Sequence, residues 1–170
     1  MCFLRKWSPG STASRNRTKL MSHLPLTLLP IDEDENKNVG FKGRECKSIL
    51  EVYPGFYRRV GFNPPWIGYF VKRGGKLVGC GGFKGKPKDG KVEVSYGTFK
   101  KYEGEGIGSE ICRQLVSLSL KTDPDVRVTA RTLPENNASA NILKKNGFEL
   151  LGTVWDDEDG GVWEWELRRH

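Results

Sequence analysis

The sequence predicts an α/β layer fold with a mixed β-sheet. Residues 91–99 alternate between apolar and polar side chains, which is the pattern of a β-strand. The apolar side chains that follow recur at helical spacing and form one stripe: Ile107, Ile111, Leu115 and Leu118. A further strand, residues 126–132, and a further helix, residues 134–147, come next. Strands and helices therefore alternate in this part of the chain, as they do in layered α/β folds.

The segment before residue 91 is predicted to supply one strand, a helical region and two antiparallel strands. Alternating leucines indicate the first strand at residues 24–28, and residues 32–43 form a polar loop or a short helix. Residues 44–60 are mainly helical, with a break at Pro54-Gly55. The glycine-rich turn at residues 73–75 then joins two strands, residues 66–72 and 76–83.

The chain is predicted to end in a β-hairpin formed by residues 148–155 and 162–167. The intervening residues 156–161 are rich in Asp and Glu but match the calcium-binding EF-hand pattern in no register. We therefore expect a solvated hairpin turn at this position and no metal site.

Three alternating glycines, Gly104, Gly106 and Gly108, lie where the strand at residues 91–99 leads into the helix that follows. Glycines let backbone N–H groups approach a ligand closely, and the first turn of a helix offers unpaired donors with a partial positive charge. The spacing predicts an anion site, with a flexible turn as the alternative. Ser109 replaces the last glycine of a dinucleotide-binding motif, and no Gly-Lys-Ser/Thr sequence follows as a P-loop requires, so both nucleotide motifs are disfavoured.

The predicted helix at residues 134–147 carries a second motif. Asn136 or Asn137 can cap its start, and Gly147 can end it in a left-handed conformation. Asn136, Ser139 and Leu143 have the spacing of residues that share one helical face. That face therefore presents two polar side chains.

Together these motifs resemble the GNAT superfamily of acetyl-coenzyme A-dependent N-acetyltransferases. Residues 103–108 resemble its pyrophosphate loop, usually Arg/Gln-x-x-Gly-x-Gly/Ala, although Glu103 stands at the Arg/Gln position. Residues 136–148 resemble the Asn-x-x-Ser and Leu-x-x-x-Gly-Phe pattern of the branch that includes ribosomal-protein N-terminal acetyltransferases. The resemblance covers about residues 66–167. It implies a three-layer fold with a central mixed sheet of six to seven strands and helices on both faces.

The resemblance further implies acetyl-CoA as the co-substrate. An acceptor amine must lose its proton before it attacks a thioester, because a free amine with a pKa near ~10 is almost fully protonated at neutral pH. Glu93 is the first candidate base, with a solvated surface glutamate as the alternative, and Glu164 and Glu166 are rivals. The predicted coenzyme-binding residues are Thr98, Phe99, Gly104, Gly106, Ile107, Gly108, Ser109 and Asn136.

Backbone amides and Ser139 are predicted to support the reaction itself. The amides of Gly97, Thr98 and Phe99 can stabilise the oxyanion if a bulge separates their strand from the one at residues 126–132. Many relatives place a tyrosine at the position of Leu143 to help the thiolate depart. Ser139, one helical turn earlier, is therefore the candidate partner of the leaving thiolate, with a hydrogen bond to its own helix as the alternative.

Composition predicts one domain at residues 23–170 and a tail at residues 1–22. The tail has no apolar periodicity, so it is expected to be disordered, mis-annotated with translation starting at Met21, or an organelle transit segment. Residues 1–21 hold five basic residues and no acidic one, so most of the formal net charge of +7 lies there. This distribution argues against a basic nucleic-acid-binding core.

Cysteine and histidine usage excludes several other classes of protein. Cys2, Cys46, Cys80 and Cys112 are widely spaced, so we expect neither a zinc cluster nor a disulfide framework. With only His23 and His170, a Ser-His-Asp hydrolase is disfavoured. No apolar run reaches transmembrane length, so the expected location is cytoplasmic, as a monomer or homodimer without membrane or nucleic-acid partners.

Two functions remain after these exclusions. The first is transfer of an acetyl group from acetyl-CoA to a small-molecule or peptide amine by direct attack in a ternary complex. The second is a catalytically weak acyl-CoA-binding or sensing module of the same fold, motivated by Glu103 and by Leu143 at the tyrosine position. Most of the aromatic residues Tyr53, Phe56, Tyr57 and Trp66 are expected in the core, and the remainder are expected to form a rim around the acceptor site.

Overall fold

The computed structural model describes residues 23–169, in which seven strands form one sheet. The spatial order is β1-β2-β3-β4-β5-β7-β6. The pairing of β4 with β5 is parallel and the other pairings are antiparallel, so the predicted mixed sheet is confirmed. The strands are β1 (Thr27–Pro30), β2 (Gly68–Arg73), β3 (Lys76–Phe83), β4 (Lys91–Thr98), β5 (Arg127–Thr132), β6 (Phe148–Asp156) and β7 (Gly160–Leu167).

Helices precede β2 and flank β5. Short 3-10 turns occur at Glu35–Asn38 and Lys100–Tyr102. The α-helices are α1 (Arg44–Leu50), α2 (Tyr53–Val60), α3 (Ile107–Thr122) and α4 (Ala138–Lys145). The amphipathic stripe predicted for α3 lies against the sheet, since Ile107, Ile111 and Leu115 are buried.

Helices cover both faces of the sheet, as predicted. Gly81 and Gly82 of β3 face opposite ways, because successive residues of a strand alternate. A Cβ atom at Gly81 would lie 2.8 Å from Ile111 Cγ2 of α3. A Cβ atom at Gly68, which is paired with Gly82, would overlap the Tyr53 side chain of α2. Helices α3 and α2 therefore pack on opposite faces of neighbouring strands at close range.

Two predicted boundaries in the first half are wrong. The helical region breaks at Glu51 and Val52, which end α1 and cap α2, and Pro54 lies in the first turn of α2. Proline is tolerated there because the first turn of a helix leaves its N–H groups unpaired. The first strand is β1 (Thr27–Pro30), later than predicted, because its register is set by pairing with β2.

Strands β4 and β5 are paired over only part of their length. The register runs from Lys91 opposite Arg127 to Glu93 opposite Thr129. Beyond these positions β4 remains paired with β3, and β5 with β7. The two parallel strands therefore diverge, and the opening between residues 94–98 and residues 130–132 is called the β4–β5 gap below. The β3–β4 register contains no bulge, so the predicted separation arises from divergence of the strands.

Within residues 23–169 no helix has the length and apolar character needed to cross a membrane. The buried hydrophobic side chains of this range, except Val162, form one cluster that draws on the sheet and on helices from both faces. The prediction for the tail at residues 1–22 lies outside the described residues.

Candidate active site

The glycine loop between β4 and α3 presents an open backbone surface. Gly104 and Gly106 adopt positive φ angles of 78° and 76°, and a Cβ atom at either position would meet no atom within 4 Å. The glycines are therefore required by backbone conformation and leave the loop accessible. Gly106 caps α3 without a side-chain hydrogen bond. The first-turn N–H groups of α3 can consequently serve an anion.

The first turn of α3 is packed tightly against its neighbours. A Cβ atom at Gly108 would lie 3.0 Å from Ile142 Cδ1 and 3.2 Å from Thr98 Oγ1, so a larger residue between α4 and the end of β4 would require these side chains to shift. Asn146 Nδ2 donates a 3.0 Å hydrogen bond to Ser109 Oγ. The structure thus brings Thr98, Gly108 and Ser109, three of the predicted coenzyme-binding residues, to one end of the β4–β5 gap.

One of the predicted oxyanion donors is already used within the sheet. The Phe99 N–H donates a 2.9 Å hydrogen bond to the Val78 carbonyl of β3, so its amide is not available to a ligand. Successive amides of a strand point to opposite sides. The Thr98 amide therefore points toward the β4–β5 gap, while the Gly97 amide points toward β3.

A small cavity with room for about one water molecule opens at the β4–β5 gap. Both predicted catalytic residues, Glu93 and Ser139, line it. The complete lining is Lys84, Glu93, Val94, Ser95, Tyr96, Ala130, Arg131, Ser139, Asp156, Asp159 and Val162.

Four alternating charges line this cavity and are called the charge cluster below: Lys84, Glu93, Arg131 and Asp156. Glu93 Oε1 lies 2.7 Å from Lys84 Nζ, and Glu93 Oε2 lies 3.7 Å from Arg131 Nε. Arg131 Nη1 donates a 3.1 Å hydrogen bond to Asp156 Oδ2. Each carboxylate oxygen of Glu93 therefore faces a cation.

Two members of the charge cluster, Lys84 and Asp156, have shifted pKa values. Burial would lower the pKa of Lys84, but the charge and hydrogen bond of the Glu93 carboxylate, together with the charge of Asp156, hold it above its usual value. Burial would raise the pKa of Asp156, yet the backbone N–H groups of Glu158 and Asp159, with the charge of Lys84, hold it below the usual range. Both groups are thus stabilised in their charged forms.

A tyrosine hydroxyl reaches Ser139 from β4. Tyr96 Oη donates a 3.3 Å hydrogen bond to the Ser139 carbonyl oxygen, and Ser139 itself is half-buried at the cavity. Leu143, at the position where many relatives have a tyrosine, is fully buried in the core. Tyr96 lies within the strand predicted at residues 91–99, and its contact with α4 joins residues far apart in sequence.

Asn136 does not share a helical face with Ser139. Helix α4 begins at Ala138, and Asn137 is its cap, accepting a 2.9 Å hydrogen bond from the Ala140 N–H. Asn136 is exposed before the helix, and its Oδ1 accepts a 3.1 Å hydrogen bond from Lys144 Nζ. The predicted alternative between two caps is therefore resolved in favour of Asn137.

The remaining predicted carboxylates lie at other places. Glu103 is exposed beside the glycine loop. Glu166 lies on β7, 3.9 Å from Lys91 Nζ and 3.8 Å from Arg127 Nη1, at the end of β5 where the strands are still paired. Glu164 pairs with Arg131 in the β5–β7 register.

The predicted aromatic cluster belongs to the core. The side chains of Tyr53, Phe56, Tyr57 and Trp66 are all buried. Tyr57 Oη donates a 2.7 Å hydrogen bond to the Ile31 carbonyl and accepts one from the Gly68 N–H, and burial raises its pKa well above the usual value. An open cavity of about 810 Å³ lies beside this cluster. Its lining is Asp32, Glu35, Asn38, Phe41, Lys42, Gly43, Arg44, Lys47, Leu50, Glu51, Tyr53 and Pro54.

In the part of the chain that the structure describes, no group of three or more His, Cys, Asp or Glu side chains is placed to hold a metal ion. The cysteines described, Cys46, Cys80 and Cys112, are buried as free thiols. Burial raises the pKa of the Cys112 thiol to about 12. This thiol is therefore protonated at neutral pH and unsuited to act as a nucleophile.

The open glycine loop and the diverging parallel strands lie within a region that matches a known protein family. The sequence model of the acetyltransferase (GNAT) domain matches residues 41–149, which is more than half of the chain. The chain therefore belongs to the GNAT acetyltransferase family.

Curated relatives match over part of their length. The chain is 33% identical over 76 residues to the uncharacterized N-acetyltransferase YjdG of Bacillus subtilis, a match that covers 44% of this chain and 45% of that protein. It is 27% identical over 89 residues to the uncharacterized N-acetyltransferase p20 of Bacillus licheniformis, covering 52% of this chain and 50% of that protein. The match thus spans about half the length of these relatives.

Solved structures share the fold at low sequence identity. The aminoglycoside acetyltransferase AAC(6')-Ib in complex with coenzyme A has a TM-score of 0.63 at 20% identity, over 85% of this chain and 95% of that one. The same enzyme is also known with ribostamycin and coenzyme A. RimL, a ribosomal α-N-protein acetyltransferase in complex with coenzyme A, has a TM-score of 0.61 at 17% identity, over 86% and 94% of the two chains.

Proposed function

We propose that this chain is an N-acetyltransferase that moves an acetyl group from acetyl-CoA to an amine by direct attack in a ternary complex. The observation that carries the proposal is that the open glycine loop, which leads into a helix without a side-chain cap, lies next to the β4–β5 gap. An elongated thioester with a pyrophosphate fits this pair of features, because one offers N–H donors for an anion and the other offers a slot between strand edges. We assign the catalytic domain to residues 23–170.

The coenzyme is assigned to the loop and the adjoining edge of β4. Gly104, Gly106 and the first turn of α3 with Ile107, Gly108 and Ser109 would hold the pyrophosphate. The outward amide of Thr98 would serve the thioester carbonyl as its oxygen becomes negative. Phe99 contributes packing in this proposal, since its amide is bonded to β3. Asn136, exposed at the entrance to α4, is assigned to the coenzyme arm.

Glu93 is assigned as the base that removes a proton from the amine, directly or through a water molecule. It lines the cavity at the gap and lies on the same strand as Thr98. Lys84 and Arg131 hold its two oxygens, so an entering ammonium group must displace or share these contacts. The amine then attacks the thioester carbon, the tetrahedral adduct collapses, and the C–S bond breaks.

Ser139 is assigned to the departing thiolate. Ser139 lines the cavity, and the Tyr96 hydroxyl donates a hydrogen bond to the carbonyl of the same residue. A hydrogen bond from either hydroxyl would stabilise the sulfur anion until it is protonated.

The acceptor is assigned to the class of small-molecule or peptide amines. One structural neighbour binds the aminoglycoside ribostamycin, and another is named as an α-N-protein acetyltransferase. These two neighbours support a class that includes both small-molecule and peptide amines.

A second candidate function is acyl-CoA binding or sensing with little turnover. It is favoured by Glu103, a carboxylate beside the proposed pyrophosphate site, and by the two cations that occupy Glu93. Measurement of thiol release from acetyl-CoA across a panel of amines, together with a binding titration, separates the two. Release with at least one amine supports the transferase, whereas tight binding without release from any amine supports the sensor. Absence of binding contradicts both.

A further inference from the structure

A buried arginine lies behind the glycine loop. Arg73 is the last residue of β2, its side chain is 3% exposed, and its Nη2 forms an ion pair with Glu110 Oε2 on α3. Its Nε has no hydrogen-bond partner in the described part of the chain. A buried arginine is costly unless it is paired, so the position of Glu110 is strongly restrained by Arg73.

Glu110 transmits this restraint to the loop. Its N–H donates a 3.2 Å hydrogen bond to the Gly106 carbonyl, which is the first hydrogen bond of α3 after the glycines. The Arg73–Glu110 pair therefore ties the start of the helix, and the residue that caps it, to the end of the β2–β3 hairpin.

A second contact fixes the same helical turn from the opposite end of the site. Asn146, at the end of α4, donates to Ser109 Oγ and also to the Ile142 carbonyl. Because Gly106 provides no side-chain cap, these two external contacts replace a capping residue in holding the first turn. The N–H groups of the loop are thereby left for a ligand.

We propose that Arg73, acting through Glu110, is a positioning residue that holds the glycine loop in the conformation that binds the coenzyme pyrophosphate. This inference rests on the proposed acetyltransferase function. The Arg73–Glu110 pair has no net charge, so its contribution to anion binding is geometric: it fixes the direction of the loop N–H groups.

The direction in which Glu110→Gln changes the affinity for coenzyme separates a positioning role from a purely electrostatic one. Glu110→Gln removes a negative charge near the phosphate site, and electrostatics alone would therefore tighten coenzyme binding. Positioning predicts the opposite, because a neutral amide holds the guanidinium more weakly than a carboxylate does. Arg113→Met is the matched control: Arg113 lies 3.9 Å from the same Glu110 side chain but is 71% exposed, so it restrains little.

The test uses the full chain and two measurements. Titration with coenzyme A should give dissociation constants about tenfold or more above wild type for Arg73→Met and for Glu110→Gln, with the double variant no worse than the single ones. Amide hydrogen exchange at residues 104–110 without ligand should be faster in the same variants. The KM for acetyl-CoA should rise while kcat and the KM for the amine stay near wild type.

Tighter binding in Glu110→Gln, or equal damage in Arg113→Met and Arg73→Met, would overturn the proposal. If Arg73→Met does not fold, Glu110→Gln carries the test, since Glu110 is 23% exposed and tolerates an amide. Wild-type exchange and affinity in Glu110→Gln would reject the positioning role and leave the proposed function intact. A wild-type protein that does not bind coenzyme A would instead reject the proposed function, whatever the exchange rates show.

Discussion

The glycine loop and the charge cluster lie at the same gap but are built in opposite ways. The loop is made of consecutive backbone, in which Gly104 and Gly106 supply conformations that other residues rarely adopt. The charge cluster is made of side chains from β4, β5, β6 and the segment after β3. The first feature is therefore encoded locally and the second by the tertiary fold. One consequence is that the loop can be tested by single glycine substitutions, whereas the cluster responds as a unit.

The largest effect is expected from Gly106→Asp, which should abolish acetyl-CoA binding. The substitution places a carboxylate and a strained backbone where the N–H groups of α3 begin. Calorimetric titration measures the loss. Gly90→Asp is the matched control, because Gly90 has a φ of 72° and equally open surroundings in the turn before β4. Unchanged affinity in Gly106→Asp would mean that the loop is only a turn.

Glu93→Gln tests the catalytic role proposed for the charge cluster. If Glu93 takes the amine proton, turnover should fall by about 10²-fold or more, with the acid limb of the pH–rate profile distorted and coenzyme affinity nearly unchanged. Glu166→Gln is the comparison variant, since Glu166 also lies between two cations but away from the gap. Wild-type turnover and pH profile in Glu93→Gln would shift the assignment to Glu164, Glu166 or bulk water.

Ser139→Ala should have a smaller effect than Glu93→Gln. Loss of one hydrogen bond to the departing thiolate would lower turnover by about tenfold wherever chemistry limits the rate, and the shape of the pH profile would be retained. Steady-state rates with a fixed amine measure this change. Ser95→Ala, which alters another hydroxyl residue at the same cavity, is the control. A full rate in Ser139→Ala would leave Tyr96 as the candidate, to be tested as Tyr96→Phe.

The smallest effect is expected from Glu103→Gln. Removal of an exposed carboxylate beside the loop should tighten coenzyme A binding by roughly two- to fivefold at low ionic strength, because exposed charges interact weakly. Titrations at two salt concentrations check the prediction, and the gain should shrink at the higher one. A salt-independent change would indicate that Glu103 acts through loop conformation and not through charge.

The contrast between locally encoded features and features set by the tertiary fold explains which parts of the structure the sequence predicts well. The strand at β4, the stripe of α3 and the left-handed stop at Gly147 depend on neighbouring residues, so periodicity and capping rules locate them. The same rules narrow the cap of α4 to Asn136 or Asn137, and the structure selects Asn137. The break before α2 was misplaced because Pro54 can either end a helix or begin one.

Contacts between distant parts of the chain explain what the sequence did not predict. Glu93 lies in the strand predicted at residues 91–99, but its partners Lys84 and Arg131 come from other elements. The approach of Tyr96 to Ser139 depends on how α4 lies over the gap. Charge and hydroxyl groups have no periodic signal of their own, so such juxtapositions appear only in the folded chain.

The short pairing of β4 with β5 also makes the sheet mechanically uneven. Only three residue pairs join the four-stranded part, β1 to β4, to the three-stranded part formed by β5, β7 and β6. The contact between α3 and α4 also crosses this seam, as do the Glu93–Arg131 and Tyr96–Ser139 contacts. A ligand that forms hydrogen bonds with both β4 and β5 would add a further connection between the two parts of the sheet. Ligand binding would therefore stabilise the whole molecule as well as fill the site.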